Sequence, residues 1–291
     1  MENILFNPEI EIKNYKINNY TESLVYKCIE DLFVLPRKVL YKWSHITKQT
    51  NHTKIGYTGQ MLASVLLNVV GCNTGARGND CMDNTEVKSC SRIDQSDKCT
   101  RCKQNISRHD KICPFCNKGD KIKRNNDSKW LLTIRSENDL KFYMNLDRLL
   151  LIIEDYPDFE KGNFTNIRIR AFEIYPKKEI CKNFNKILIE YYQNIYLQNL
   201  NKSPKKVPAP KNFWPDSFQF HMCNPVEIFN CRVTNYLEDY SINIIKFIKP
   251  NESRKFNDII KMPSLLLKKS EKNKENNMYI SYNEIMDIEL R

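Results

Sequence analysis

The sequence lacks any run of about 18 apolar residues, the length a helix needs to cross a bilayer. Its opening stretch, MENILFNPEIEIKNY, alternates charge with apolar side chains and has no signal-peptide core. A membrane-spanning or secreted protein is therefore not expected. Histidine is scarce. The four present, His45, His52, His109 and His221, are scattered too widely to suggest a histidine-metal centre or a His-Asn-His nuclease site. Glycine is scarce as well, yet three of the seven (Gly71, Gly75 and Gly78) fall in one short, turn-prone stretch. Internal repeats are absent.

What is present is a basic, globular composition. The chain has 291 residues, enough for one large domain or one and a half ordinary ones, and its 41% hydrophobic content can build a substantial core. The formal net charge is +11. Even if four cysteines bind a divalent ion as thiolates, the charge falls only to about +9, which still favours a polyanionic partner. Eleven cysteines without a secretory signal point to a reducing compartment, where metal binding is a better use of them than disulfides.

Periodicity suggests a mixture of helices and strands. Residues 22–71 read as helical, with Pro36 starting a helix that carries Val39, Leu40 and Trp43. A second helix over Thr58–Val70 is apolar nearly all round and so should be buried. NTEVKSCS (84–91), KWLLTIR (129–135), RLLLIIEDY (148–156), NIRIRAFEIY (166–175), SFQFHMCN and VEIFNCRVT read as strands. A helix from Cys181 to about Leu200 aligns Phe184, Leu188, Tyr191, Tyr192 and Ile195. SPKKVPAPK is a linker, and KKSEKNKENN (268–277) a solvated loop or tail.

Cys99, Cys102, Cys113 and Cys116 form a CxxC-x10-CxxC pattern. Each CxxC turn can offer two thiolates to one ion, and two turns complete a tetrahedral sulfur shell with no open position, so the ion would be structural Zn²⁺. Iron in a rubredoxin-like site is the chemical alternative. The stretch from about 97 to 127 has too few apolar residues to fold without metal. It also carries Lys98, Arg101, Lys103, Arg108, Lys118, Lys121, Lys123 and Arg124. These could clamp DNA phosphates or simply solvate an insertion.

Just before it, GARGNDCMDNTEVKSCSR (75–92) places Asp80 ahead of Glu86-Val87-Lys88. Two residues apart on a strand, Glu86 and Lys88 share a face, and Asp80 or Asp83 could add a second carboxylate. Paired carboxylates suit Mg²⁺, and the lysine suits positioning an attacking water beside a phosphate.

TGARGND, TEVKSCSR, DQSDKC, DSKWLLTIRS, EDYPDFE, FEIYP and PAPKNFWPDSFQFHMCNP, spanning roughly residues 57–231, resemble the MamI family of type II restriction endonucleases. That resemblance implies a PD-(D/E)xK nuclease: an α/β (α+β) fold with a mixed central sheet flanked by helices, the zinc module inserted in it. It implies Asp80, Glu86 and Lys88 as the catalytic set, with Asp80 and Glu86 holding Mg²⁺. Asn79 stands where that pattern's proline would precede the aspartate. The expected division is an N-terminal helical region (1–56), a catalytic domain (57–235) with the zinc insertion at about 97–127, and a C-terminal extension (236–291). KWLLTIR is expected to be the central strand following the Glu-x-Lys strand, with the zinc module an excursion between the two. Ser89, Arg92, Gln95, Lys211, Asn212, Gln219 and His221 are candidate DNA contacts. The implied partners are double-stranded DNA, a second protomer in a homodimer and a cognate DNA methyltransferase, in a prokaryotic cytoplasm. A structure-specific repair nuclease and a non-catalytic zinc-containing DNA-binding regulator are the competing readings.

Overall fold

The computed structural model describes residues 4–6, 15–47, 49, 51–73, 78–118 and 122–266. Gly75, Lys121 and the 268–277 segment lie outside the described residues.

A short strand, β1 (Ile4–Phe6), precedes three helices, α1 (Ser23–Ile29), α2 (Leu35–Thr47) and α3 (Ile55–Leu67), with a π-helical turn between α1 and α2. Then come β2 (Thr85–Ser91) and the small strands β3 (Asp97–Cys99), β4 (Asn105–Ile106), β5 (Ile122–Lys123) and β6 (Trp130–Leu132). Helix α4 (Glu137–Met144) leads to β7 (Arg148–Asp155) and β8 (Ile167–Ile174). Helices α5 (Lys182–Tyr191) and α6 (Leu197–Lys202) are followed by β9 (Lys211–Phe213), α7 (Phe218–Met222), β10 (Val226–Thr234), β11 (Ser241–Phe247) and β12 (Arg254–Lys255).

The main sheet has five strands in the order β11-β10-β8-β7-β2. β2 runs parallel to β7 and every other pairing is antiparallel, so the sheet is mixed. Period-two alternation builds two cores, one on each face. Leu150 and Ile152 of β7 join Val87, Ile169, Ile228 and the helices α1 and α3. Leu149, Leu151 and Ile153 join Trp130, Phe172, Phe184 and Phe220 on the other face. The outcome is a mixed α/β fold with its central sheet flanked by helices. The sheet's outer strand β11 lies beyond residue 235, and α1 and its following turn, before residue 56, contribute Val25, Ile29, Phe33 and Val34 to the first core.

Several local expectations are corrected. KWLLTIR is not a central strand: Trp130–Leu132 pairs instead with Lys211–Phe213 in a separate two-stranded sheet. The place beside β2 goes to β7, whose eight residues are all buried, whereas Leu131 is exposed. A strand covered on both faces needs a continuous apolar centre, which Leu149–Ile153 supplies, while the charged ends of β7 are paired: Arg148 with Glu173, Glu154 with Arg37 and Asp155 with Arg168. SFQFHMCN contains helix α7, because the Ser217 side chain caps it by accepting the Phe220 N–H at 3.2 Å. The 181–200 helix is interrupted by a π-helical turn over Tyr192–Tyr196, which shifts its register so that Tyr196, rather than Ile195, faces the core. Helix α3 is buried on one face only, with Tyr57 and Met61 exposed. On α2 the inward residue is Arg37, while Val39 and Trp43 face outward.

Candidate active site and four-cysteine module

β2 is an edge strand in register with the start of β7, Glu86 opposite Leu149 and Lys88 opposite Leu151. Val87 enters the first core, and Glu86 and Lys88 project from the opposite face. Lys88 Nζ donates to Glu86 Oε1. Asp80 arrives from a tight turn in which its own N–H donates to Thr85 O at 3.0 Å. Its carboxylate is held from two sides: Oδ2 accepts the Val87 N–H at 2.7 Å, and Oδ1 accepts Gln60 Nε2 at 2.6 Å. Burial raises the pKa of both Asp80 and Glu86. The Val87 N–H, then Lys88, oppose the rise at Asp80, and Lys88 opposes it at Glu86. Burial works against the charge of Lys88, but Tyr143, Glu86 and Asp80 outweigh it and hold its pKa above the ordinary value.

Gln60 comes from α3, which approaches β2 closely because residue 59 is glycine. A Cβ there would lie 2.0 Å from Ser89 Oγ. Asp80 and Gln60 line a cleft of about 450 Å³, whose wall also includes Tyr57, Met61, Ser64 and Asn73. Asp83 sits elsewhere: it pairs with Arg148, which also bonds Glu173 at 3.2 Å and Thr85 at 3.0 Å. Of the two aspartates weighed as partner to Glu86, the structure brings Asp80 to it and ties Asp83 into a buried ionic cluster. Sequence reasoning missed Gln60 and Gly59. Their trace in the sequence is a Gly-Gln pair in the first half of a largely apolar helix that also holds Gly56, Thr58 and Ser64.

The residues present suit a divalent cation. Among the described residues Glu86 Oε2 is buried with no hydrogen-bond partner, and a second carboxylate stands beside it. A hard cation is satisfied by oxygen ligands of this kind.

The four cysteines converge after β2. Their sulfurs all lie within 4.8 Å of one another, with Cys99–Cys116 and Cys102–Cys113 both at 3.6 Å. A tetrahedral Zn²⁺ with ligands at 2.3 Å has sulfurs about 3.8 Å apart, so the cluster can hold zinc with only small adjustment. β3 is the middle strand of a three-stranded sheet, β4-β3-β5, that carries the cluster. Two of the cations read as phosphate clamps serve the module's own structure. Arg124 donates to buried Asp97 at 2.6 Å. Arg108 pairs with the same carboxylate at 3.2 Å and lies over Tyr156, Phe159 and Phe164, with 5.2 Å to each phenylalanine ring. His109 contacts Tyr236 Oη at 3.2 Å and packs edge-on to Tyr41. Arg101, Lys103 and Lys118 are exposed.

The other candidate contacts are differently placed. Ser89 packs against Gly59, and Gln95 is tied to Asp127 at 2.9 Å. Arg92 reaches Asp216 at 3.6 Å, and Lys211 donates to Gln219 at 2.6 Å. His221 is buried at 5% exposure, whereas Asn212 is exposed. No helix among the described residues is long and apolar enough to cross a membrane.

No curated protein and no solved structure matches this chain. A family model described as MamI restriction endonuclease matches residues 42–265, a span containing the Asp80–Glu86–Lys88 cluster, the cysteine module and all five strands of the main sheet. That span exceeds half of the sequence, and the chain belongs to the MamI restriction endonuclease family.

Proposed function

We propose that the chain is a type II restriction endonuclease that hydrolyses phosphodiester bonds in both strands of specific duplex DNA, leaving 5′-phosphate and 3′-hydroxyl ends. The observation that carries this reading is the convergence of Asp80, Glu86 and Lys88, with Asp80 also lining a cleft, in a strongly basic chain. An edge strand bearing Glu-x-Lys, paired in parallel with a fully buried neighbour and covered by α3, supports a PD-(D/E)xK core.

Asp80 and Glu86 would hold Mg²⁺. When bound, the cation supplies Lewis acidity toward the scissile phosphate and a more acidic water. The protein's own residues do the rest. Gln60 and the Val87 N–H fix the direction of the Asp80 carboxylate. Glu86 Oε1 anchors Lys88, whose ammonium orients the attacking water and offsets charge developing on the phosphate. Cys99, Cys102, Cys113 and Cys116 would hold structural Zn²⁺. All four positions of a tetrahedral shell are sulfur, which leaves no place for a reacting water.

Cutting both strands calls for one active site per strand, met most simply by a two-fold homodimer. A cytoplasmic enzyme of this kind needs a cognate methyltransferase to protect the host's own sites. The 57–235 segment supplies the chemistry, while 1–56 and 236–291 act as flanking regions that complete its core.

The test is incubation of the purified protein with a defined plasmid, with and without Mg²⁺, beside Glu86→Ala and Lys88→Ala. The expected outcome is discrete fragments that require Mg²⁺ and are lost in both variants. Intact plasmid throughout, with a mobility shift kept by every variant, would overturn the enzymatic reading in favour of a zinc-containing DNA-binding regulator. Cleavage directed by junctions or flaps instead of sequence would favour a repair nuclease.

A further inference from the structure

The cysteine module is built from two turns with the same backbone plan. In the first, the Lys103 N–H donates to Cys99 O at 2.9 Å and the Cys99 N–H to Gln104 O at 3.0 Å. In the second, the Asn117 N–H donates to Cys113 O at 2.8 Å and the Cys113 N–H to Lys118 O at 3.2 Å. Lys103 and Asn117, each just past its second cysteine, are both left-handed, with φ of 64° and 55°. The equivalence pairs Lys98 with Ile112 and Arg101 with Phe115. At these two equivalent positions one plan thus carries two chemistries, cationic on the first turn and apolar on the second, whose apolar pair is flanked by Lys111 and Lys118.

Ile112 is 57% exposed and Phe115 64%. Neither belongs to the module's small core, which consists of Cys99, Ile106 and Cys113 with Cys102, Cys116 and Ile122 packed against it. Nor do they attach the module to the body, since Arg108 and His109 do that. Two large apolar side chains held outward on a cross-linked turn do nothing for folding, and they gain free energy only when something covers them. The surrounding charge says what. Arg101, Lys103, Lys111 and Lys118 are all exposed on the same two turns. A second copy of this face would be repelled, whereas a polyanion would be drawn in.

We propose that the second turn is a wedge that lies in a groove of duplex DNA. Ile112 and Phe115 rest against sugars and base edges, and the neighbouring lysines and Arg101 hold the flanking phosphates. Apolar wedges between cations are a known way to grip a duplex from the minor groove. The proposal rests on the reading of the chain as a DNA-cleaving enzyme and adds where the duplex is gripped away from the catalytic cluster.

The test titrates full-length, zinc-loaded protein with a labelled mixed-sequence duplex, without Mg²⁺, over a series of salt concentrations. The Ile112→Ser/Phe115→Ser variant should bind roughly ten-fold more weakly at every salt concentration, because an aromatic contact is lost while the phosphate contacts remain. Its plot of log affinity against log salt should keep the wild-type slope. Lys111→Ala/Lys118→Ala should instead flatten that slope. Phe115→Trp should bind at least as tightly as wild type, which shows that the loss in the serine variant is not misfolding. Wild-type affinity in the serine variant would overturn the wedge while leaving the nuclease reading intact. So would an altered sedimentation coefficient with unaltered DNA affinity, which would assign the turn to a second copy of the chain. Failure of the wild-type protein to bind any duplex would instead overturn the nuclease reading, and the wedge with it.

Discussion

Two aspartates three residues apart do opposite work, and their substitution separates them. Asp83 is buried against Arg148, which also serves Glu173 and Thr85. Asp83→Asn leaves part of a buried guanidinium charge uncompensated, so the variant should lose about 3 kcal/mol of stability. Asp80 is the reverse case. Burial raises its pKa, which means that the folded state already disfavours its charge. Asp80→Asn should therefore melt at or slightly above the wild-type temperature while losing Mg²⁺-dependent cleavage. Thermal melts and plasmid assays on the two variants would check this, and a stable, active Asp80→Asn would remove Asp80 from the metal site. A third residue reports on pH. Burial, then Arg108 and His45, lower the pKa of His109 to about 4 from 6.5. In the unfolded chain His109 takes up its proton near 6.5, so acidification below that value favours unfolding. The contribution is fully present above pH 6.5 and is lost as pH falls toward about 4. His109→Gln cannot take up this proton. Its melting temperature should fall less than that of wild type between neutral pH and about pH 5.

At the scale of elements, the contact that aligns the candidate site is the one between α3 and β2. A Cβ at residue 59 would meet Ser89 Oγ at 2.0 Å and Ser89 Cβ at 2.8 Å, both on a short side chain with little room to turn away. Gly59→Ala should push α3 off the strand, cost about 1–3 kcal/mol and lower cleavage by moving Gln60 from Asp80. Adding Ser89→Gly should restore both stability and activity, and a single variant with wild-type melting and activity would show that the contact is slack. The same elements mark what was legible in the sequence. Thr85–Ser91 was readable as a strand because period-two alternation is local, and Arg148–Asp155 because its five central residues, Leu149–Ile153, make a continuous apolar run. That these two strands are parallel neighbours was not readable, since sequence period says nothing about which distant strand lies alongside. The same gap hid the pairing of Trp130 with Phe213 and the approach of Gln60 to Asp80. The π-helical turn at Tyr192–Tyr196 left no pattern of its own, so the inward residue was misplaced by one. The cysteine cluster was legible in full because CxxC spacing encodes the geometry of its ligands.

Across the whole molecule, the cysteine module has a small core of its own, apart from the two that flank the sheet, and polar and aromatic contacts link them. Among the described residues, neither of the two large cores contains one between Ile93 and Trp130, and the module's own core has three buried members, Cys99, Ile106 and Cys113. A core that small cannot hold a fold in water, so the module's order would rest on the ion that its four thiolates can hold. Its attachment runs through Arg108 over Tyr156, Phe159 and Phe164, and through His109 between Tyr41 and Tyr236. Removing zinc should therefore unfold residues around 97–127 and leave the five-stranded sheet in place. Hydrogen exchange should rise sharply in the module and modestly at Tyr41, Tyr156 and Tyr236, while Leu149–Ile153 stay protected. Because a chelator removes every divalent ion, function is tested by adding ions back singly. Mg²⁺ alone should fail to restore DNA affinity and cleavage, and Zn²⁺ with Mg²⁺ should restore both. Full cleavage with Mg²⁺ alone, in protein shown by metal analysis to contain no zinc, would mean that the module is an appendage the reaction can do without. Its cations and the exposed Phe115 would then need another partner.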